Sequence, residues 1–224
     1  MATIESPTSP AIILAVDPTY QALRASLYPR EFNKTPSGPP LGGHYRMAAV
    51  TGLTTVIAAA GGIFSVRWTD TSLRFILQRL QISAVITTAF GTAQEISVDL
   101  AKLINYSVAD SGGTSMLPIG TQYKKKTTMA DSVINDARVS TTAALTNGTA
   151  TAQAAMSSTI MPFILNAVGS SAGGVLYDTR PGEEAPLEIA QNEGFRVRLA
   201  FTMGATGVVR WQLIMDWAEV PNIA

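Results

Sequence analysis

The sequence predicts an all-β protein, an antiparallel β-sandwich of the jelly-roll type that follows an extended N-terminal arm. Two observations predict it. From residue 45 onward, apolar residues recur at every second position in one run after another, which is the period of a strand with one buried face. No long amphipathic helix alternates with these runs, and turns rich in glycine separate many of them. A parallel βαβ architecture is therefore not expected.

The first 43 residues differ in composition from the rest of the chain. Seven of the twelve prolines lie there. Because proline removes a backbone donor and fixes φ, residues 1–43 are expected to form an extended arm ahead of a β-sandwich domain at 44–224. One short helix is expected within the arm, since Asp17 is a good N-cap, Pro18 suits the first helical position and Pro29 ends the run.

The arm is expected to grip a neighbouring subunit. Its predicted helix is only about three turns long and marginal alone, so its apolar stripe needs a surface to pack against. Fully extended, the arm would reach on the order of 100 Å, which is ample for contact with a neighbour. The predicted partner-binding residues are its large apolar side chains: Tyr20, Leu23, Leu27, Tyr28 and Phe32.

Within the domain, strands are predicted from the alternation of side chains. Residues 95–104, 195–203 and 208–217 each place apolar side chains on one face and polar or charged ones on the other. Residues 204–207, Gly-Ala-Thr-Gly, are expected to join the last two strands as a hairpin. Further strands are expected at about 45–51, 54–60, 63–69, 73–87, 137–145, 160–166 and 186–190.

Charge is sparse and balanced along the chain. The net charge is zero and 14% of the residues are charged, where about a quarter is usual for a soluble domain. A chain that is not basic is not expected to bind nucleic acid through its phosphates. Residues 139–177 carry no charge and are rich in Ala, Thr, Ser and Gly, which suits either a close-packed interface or a loop. A weakly charged surface favours contact with other protein.

A second uncharged run, residues 47–66, is long enough to raise the question of a membrane span. It contains three threonines and three glycines, with Gly61 and Gly62 near its end. Two short strands around a glycine turn are therefore predicted, and no membrane partner is expected.

The stretch ADSGGTS, residues 109–115, resembles the nucleophile loop of trypsin-like serine proteases. The only histidine, His44, lies upstream, and Asp70 or Asp99 stands between it and Ser111 in that family's order. The likeness covers only four residues, and the interval from His44 to Ser111 is too short for the first barrel of that fold. Asp-Ser-Gly-Gly is also a strong turn sequence. A turn and a non-enzymatic protein are therefore predicted.

No metal or cofactor site is expected. The chain has no cysteine, its single histidine lacks partners at ligand spacing, and no run of alternating carboxylates resembles a calcium loop. The one charge run, Lys124-Lys125-Lys126, suits either a solvated loop or a salt-dependent contact with an acidic protein neighbour.

Several longer stretches together resemble a group of tailed-bacteriophage virion proteins. They include FSVRWTDTSLRFILQRLQISAVITTAFGTAQEISVDL, SVADSGGT, ARVSTTAALTNGT and IAQNEGFRVRLAFTMGATGVVRWQLIMDWAEV, within residues 45–220. The most specific part is the last, with Asn192-Glu193-Gly194 before a strand and Trp217-Ala218-Glu219-Val220 at the end. These motifs are not catalytic, so no site residue is carried over.

The resemblance implies a structural component of the virion, assembled in the host cytoplasm. A head cement or decoration protein is expected, which binds the major capsid protein and sister subunits and forms a homo-oligomer, taken here as a trimer. A tail-fibre receptor-binding module or a tail or neck adaptor is the alternative.

Overall fold

A computed structural model describes residues 3–4, 12–13, 43–92, 94–118, 120–127, 129–163, 168–179 and 186–222, with only the backbone at 3–4, 12–13, 94–95 and 157–163. The chain divides into two compact units, Met1–Glu31 and Phe32–Ala224. In the first unit, β1 (Thr3–Ile4) pairs antiparallel with β2 (Ile12–Ile13). The helix predicted near residues 17–29 and the five predicted partner-binding residues, Tyr20, Leu23, Leu27, Tyr28 and Phe32, lie outside the described residues.

The second unit contains two antiparallel sheets. Strands of the five-stranded sheet are β3 (Gly43–Val50), β5 (Leu73–Thr88), β10 (Ser171–Asp178), β11 (Leu187–Ile189) and β13 (Val208–Pro221). Their order is β10-β5-β13-β3, and β11 pairs with β5 beyond β10. Every pairing in this sheet is antiparallel, as the alternating sequence pattern predicts for an all-β protein.

The other sheet has six strands in the order β7-β8-β4-β12-β6-β9. Its strands are β4 (Gly62–Trp68), β6 (Gln94–Ile104), β7 (Thr114–Ser115), β8 (Asp136–Val139), β9 (Thr151–Phe163) and β12 (Glu193–Leu199). A 3-10 helix at Thr121–Tyr123 is the only helix in the described part of the chain, so no helix there could cross a membrane.

One hydrophobic core lies between the two sheets and contains side chains from both. Aromatic rings join them across this core, since Phe75 of β5 lies 5.7 Å from Trp68 of β4 and 6.0 Å from Phe195 of β12, measured between ring centroids. Tyr45 stacks on Trp217 at 5.3 Å within the five-stranded sheet. The alternation predicted for residues 208–217 is confirmed, because its apolar members are buried: Val209, Trp211, Leu213, Met215 and Trp217.

The turn at residues 204–207 is not the predicted hairpin. β12 pairs with β4 and β6, whereas β13 pairs with β3 and β5, so this connection crosses from one sheet to the other. Two strands that bury one face against a shared core have the same alternation whether they lie side by side or face each other. The sequence pattern therefore could not distinguish a hairpin from a crossover.

Three other strand predictions need correction. Residues 54–60 are a loop with one isolated bridge, Thr54 to Val209, because here the chain passes from the five-stranded to the six-stranded sheet. The strand predicted at 137–145 ends at Val139. The strand predicted at 160–166 is the end of β9, which begins at Thr151, and β10 was not predicted because Ser-Ala-Gly-Gly has no apolar period.

Candidate interaction surface

Ser111 and His44 lie in different parts of the sandwich. Ser111 sits in a turn and exchanges backbone hydrogen bonds with Thr146, at 2.9 and 3.0 Å. His44 lies in β3, and its Nδ1 is 3.2 Å from Nε2 and 3.4 Å from Oε1 of Gln78. Among the described residues, no hydrogen bond joins the serine to the histidine. The serine-protease likeness is therefore not accompanied by a nucleophile–base contact.

The two candidate acids are also placed apart from Ser111. Asp70 accepts hydrogen bonds from the backbone N–H groups of Ser72 and Leu73, both at 2.7 Å, which closes the turn before β5. Asp99 lies in β6, directly opposite Arg198 of β12. Each acid therefore belongs to a local turn or a strand pair.

The aspartate of the ADSGGTS stretch has a structural role that the sequence did not reveal. Asp110 is 1% exposed, and its carboxylate accepts hydrogen bonds from Nε of Arg196 at 2.9 Å, from Nη2 of the same residue and from the backbone N–H of Gly148 at 2.8 Å. Its own N–H donates to the Tyr106 hydroxyl at 3.1 Å. The turn is therefore fastened to the outer face of the six-stranded sheet by a buried ion pair.

The pKa shifts of Asp110 and Arg196 agree with a structural ion pair. Burial alone would raise the pKa of Asp110, but the hydrogen bonds from Arg196 and Gly148 hold it below its ordinary value of 3.8. Burial likewise opposes the charged form of Arg196, yet bonding to Asp110 raises the pKa of the guanidinium above its ordinary value. Both partners are charged at neutral pH and stabilise each other.

A second buried carboxylate fastens the long connection between β7 and β8. Glu219 of β13 accepts hydrogen bonds at Oε1 from the Ser132 hydroxyl at 2.6 Å and from Nε1 of Trp217 at 3.0 Å. Its Oε2 accepts from the Val133 N–H at 3.1 Å. Burial raises the pKa of Glu219 above its ordinary value despite these three bonds.

The lysine run lies in this connection and pairs with acids of its own chain. Nζ of Lys124 is 2.6 Å from Asp131, and Nζ of Lys125 is 3.0 Å from Asp216, which Arg46 also contacts at 2.8 Å. The Lys125 N–H donates to the His44 carbonyl at 3.0 Å, so the segment covers the edge of β3. Covering an edge strand protects its unpaired backbone groups from other chains.

At one end of the sandwich, the described connections between strands contain no charged residue. β3, β5, β9 and β12 finish there, and β4, β6, β10 and β13 begin there, as the antiparallel registers require. The described residues of the connections between these strands are 51–61, 89–92, 168–170 and 200–207, and none of them is Asp, Glu, Lys, Arg or His. We call this surface the uncharged end.

Large apolar side chains of the uncharged end face solvent. Phe201 is 60% exposed and Val168 66%, while Leu53 is 44% and Val56 46% exposed. Scattered single apolar residues are normal on a surface, but these four share one end of the sandwich, which makes it the candidate interaction surface of the described residues.

Hydrogen bonds join the connections of the uncharged end to one another. The Met203 N–H donates to the Ile57 carbonyl at 2.9 Å, and the Ala59 N–H donates to the Thr202 hydroxyl at 3.1 Å. The Gly91 N–H donates to the Thr206 hydroxyl at 2.8 Å. The connection 200–207 is thus tied to its two neighbours. A surface held in place in this way loses little conformational entropy when it binds.

A shallow groove of about 330 Å³ lies on the outer face of the five-stranded sheet. It exists because β10 bears glycine where it crosses β5, and a Cβ at Gly173 would lie 2.8 Å from Cβ of Ser83. The groove is also without charge; its lining residues are Gln81, Ile82, Ser83, Gly173, Gly174, Val175, Gln212 and Ile214.

Over the residues whose placement is described, no group of three acidic, histidine or cysteine side chains could hold a metal ion. Comparison of the chain with protein families, curated proteins and solved structures gave no match.

Proposed function

We propose that this protein is a non-enzymatic structural component of a phage particle, a cement or decoration protein that stabilises the head by binding the major capsid protein and sister subunits. The observation that carries the proposal is the uncharged end, where apolar side chains lie exposed on a preorganised frame. Such a surface suits the burial of area against protein, at roughly 25 cal/mol per Å² of apolar surface, and repetition over a shell multiplies each contact.

Strand order supports the jelly-roll part of the proposal. Eight main strands, β3, β4, β5, β6, β9, β10, β12 and β13, divide into β3-β13-β5-β10 and β4-β12-β6-β9. Among these eight strands, the first pairs with the last and the second pairs with the seventh. This pairing is expected when a long two-stranded antiparallel ribbon folds over to form two sheets. Jelly rolls are common in viral capsid domains. This likeness of fold raises the expectation of a virion role and does not decide it.

The N-terminal arm belongs to the same proposal. Residues 1–43 would reach across a neighbouring subunit, with Tyr20, Leu23, Leu27, Tyr28 and Phe32 as anchors. A chain lacking residues 1–43 is expected to keep the circular dichroism of the β-domain and to lose occupancy on heads. Full occupancy of heads by the truncated chain would contradict the role of the arm.

Immunogold labelling of purified virions with an antibody against this chain tests the proposed function. Label on the heads is the expected result, and particles lacking the protein should lose DNA at a lower temperature than complete ones. Label confined to tails or fibres would support the tail-fibre or adaptor alternative. Virions without label would overturn a structural role in the particle.

A further inference from the structure

The five-stranded sheet ends at β3, and part of the outer edge of β3 is uncovered. Among the described strands, β3 pairs with β13 alone. On its other side the Lys125 N–H donates to the His44 carbonyl at 3.0 Å, and just beyond the strand the Gly52 N–H donates to the Ser140 carbonyl at 3.3 Å. Between these two contacts lie residues 47–50, which we call the open stretch.

The backbone of the open stretch offers hydrogen-bonding groups to another strand. The Thr51 N–H donates to the carbonyl of Trp211 in β13 at 2.9 Å, so every second residue upstream of Thr51 also faces β13. The N–H and C=O groups of Ala48 and Val50 therefore point away from the sheet, and no described residue bonds to them there. The stretch has no proline, charge or bulge, the devices that protect an edge strand. Such an edge is a template for one more strand.

β1 and β2 have the converse problem, because they form a sheet with too few strands. They pair through two residue pairs only, Thr3 with Ile13 and Ile4 with Ile12. A two-stranded sheet is at best marginally stable in water unless further strands or packing support it. In the sequence, β2 belongs to the run 11–16, AIILAV, which is wholly apolar and contains no proline. This run is a strand in need of a larger sheet.

The run 11–16 matches the open stretch in one antiparallel register. With Ile13 opposite Val50, each pair along the two segments joins two apolar residues, and a small residue lies opposite Leu14. The pairs are Ile13 with Val50, Leu14 with Ala49, Ala15 with Ala48 and Val16 with Met47. Apolar residues that are directly opposed across two strands stabilise the pairing.

Charge selects the antiparallel orientation. In this register Asp17, which follows the apolar run, lies opposite Arg46, which precedes the open stretch. Arg46 and Lys125 both contact Asp216, at 2.8 and 3.0 Å, so this cluster has one positive charge in excess. Asp17 would balance that charge across the added strand pair. In the parallel orientation Asp17 would lie at the other end of the open stretch, away from Arg46.

The length of the arm favours a strand from a different copy of the chain. Residues 18–42 join the run to β3, and five prolines among these 25 residues favour an extended spacer. At full extension the spacer would measure about 80 Å, which carries the run away from β3 of its own chain and to that of a neighbour.

We infer that the open stretch of β3 receives residues 11–17 of another copy as an added antiparallel strand. The inference rests on the proposed function in taking the arm as a contact between sister subunits. It names the surface that the arm binds and the part of the arm that binds there.

Co-expression of two full-length chains tests the exchange, because the protein has no cysteine of its own. A tagged Ile13→Cys chain and an untagged Val50→Cys chain are expected to form disulfide-linked pairs on mild oxidation, since opposed Cα atoms lie about 5.5 Å apart. Val85→Cys replaces Val50→Cys in the control. Val85 is 40% exposed, but it lies in β5, between β10 and β13, so its yield should be at least tenfold lower.

Two results of this experiment would overturn the inference. The first is an equal yield with Val50→Cys and Val85→Cys. The second is a disulfide that forms only when Ile13→Cys and Val50→Cys are in the same chain, because the arm would then bind its own β3.

Sedimentation velocity of the full-length chain measures the contribution of the edge to assembly. Ala48→Pro removes the outward N–H, and edge strands tolerate proline, so we expect a folded chain whose association is at least tenfold weaker. Ala48→Val keeps the N–H and should assemble like the wild type. Deleting residues 1–17 removes the added strand without altering β3 and should weaken association as much as Ala48→Pro. Assembly that is unchanged by the deletion would contradict the inference.

The inference and the proposed function fail in different ways. Heads that carry the label, together with copies that do not cross-link, would remove the strand exchange and leave the structural role. Cross-linked copies that are absent from virions would do the reverse. If Ala48→Pro lowers the occupancy of heads without changing self-association, the edge binds a different virion protein and the inference is wrong.

Discussion

At one end of the sandwich the connections are uncharged and joined by hydrogen bonds that involve backbone groups, whereas elsewhere they are fastened by charged side chains. The connection 116–135 is held by Glu219 and by the pairs of Lys124 and Lys125, and the turn at 109–113 is held by Asp110 and Arg196. The uncharged end holds its loops together largely through the main chain and so leaves Phe201 and its apolar neighbours facing outward.

This difference shows how one fold separates stability from recognition. Buried charges fix a connection only if their partners are fixed too, so those side chains are committed to the interior of the subunit. At the uncharged end the bonds between connections use backbone groups and two threonine hydroxyls, so the apolar side chains take no part in them. The free side chains can then be chosen for contact with another molecule.

The largest expected effect comes from breaking the buried pair. Asp110→Ala leaves Arg196 buried without its partner, and we expect the free energy of unfolding to fall by roughly 3–5 kcal/mol. Asp178→Ala is the control, because its carboxylate is 48% exposed and lies 3.9 Å from Arg79, a kind of pair worth about 0–1 kcal/mol. Urea denaturation of both variants measures the difference. Equal losses would show that the turn at 109–113 does not depend on the ion pair.

A glycine provides the corresponding test at the uncharged end. A Cβ at Gly207 would lie 2.1 Å from the Phe90 ring, so Gly207→Ala is expected to cost roughly 1–3 kcal/mol in the free energy of unfolding and to disturb the frame that presents Phe201. Gly91→Ala is the matched control, since its nearest neighbour would be the Thr206 hydroxyl at 3.3 Å. Thermal unfolding, together with sedimentation, checks both consequences. A Gly207→Ala chain as stable as Gly91→Ala would contradict the tight packing of this end.

A change of pH should alter the contributions of the two buried carboxylates, Glu219 and Asp110, to the free energy of unfolding in opposite directions. The pKa of Glu219 is raised above 4.5 by burial, so its stabilising contribution is complete below about pH 4.5 and is lost as the pH rises through the folded value. The pKa of Asp110 is below 3.8, because bonds from Arg196 outweigh burial, so its contribution is present above 3.8 and is lost as the pH falls.

Urea denaturation between about pH 4 and pH 8 measures the first of these dependences. The stability of the wild type relative to Glu219→Gln should decrease as the pH rises, since glutamine has no proton to lose. A relative stability that increases with pH would mean that the pKa of Glu219 is lowered in the folded protein.

The smallest effect is expected from the ion pair between Lys124 and Asp131. The Lys124 side chain is 8% exposed and Asp131 is 60% exposed, so the test keeps the buried stem: Lys124→Met should change the free energy of unfolding by only about 0–1 kcal/mol. The difference should disappear in about 1 M salt, where screening acts over about 3 Å. A larger loss that persists in salt would mean that the Lys124 ammonium makes a contact that salt does not screen.

Alternation in the sequence predicted most strands because burial on one face leaves a local pattern. It could not assign strands to sheets, and the crossover at 204–207 was mistaken for a hairpin for that reason. The pairing of Asp110 with Arg196 could not be predicted from the sequence either, because it joins residues 86 positions apart. Arg196 lies on the polar face of β12, and no local signal indicates that another segment covers that face.

The candidate surface was partly visible in the sequence. The lack of charge in 139–177 is evident in the sequence, with an interface as one of its two interpretations, whereas the uncharged run 47–66 predicts two strands around a glycine turn. What the sequence could not show is that residues 51–61 and 168–170 of these runs lie at the same end as residues 89–92 and 200–207, because only the strand order brings them together. A surface formed from four separate connections leaves no motif in any one of them.

The position of β13 at the centre of the five-stranded sheet has a consequence for folding. β13 lies between β3 and β5, and the contact between Arg46 and Asp216 spans 170 residues. Contacts of such long range form slowly, because much of the chain must be ordered before they close. During synthesis, β3 therefore cannot form its pairing with β13 until β13 has been made. A truncated chain that ends before β13 lacks the central strand of this sheet and should be degraded by proteases before it can join an assembly.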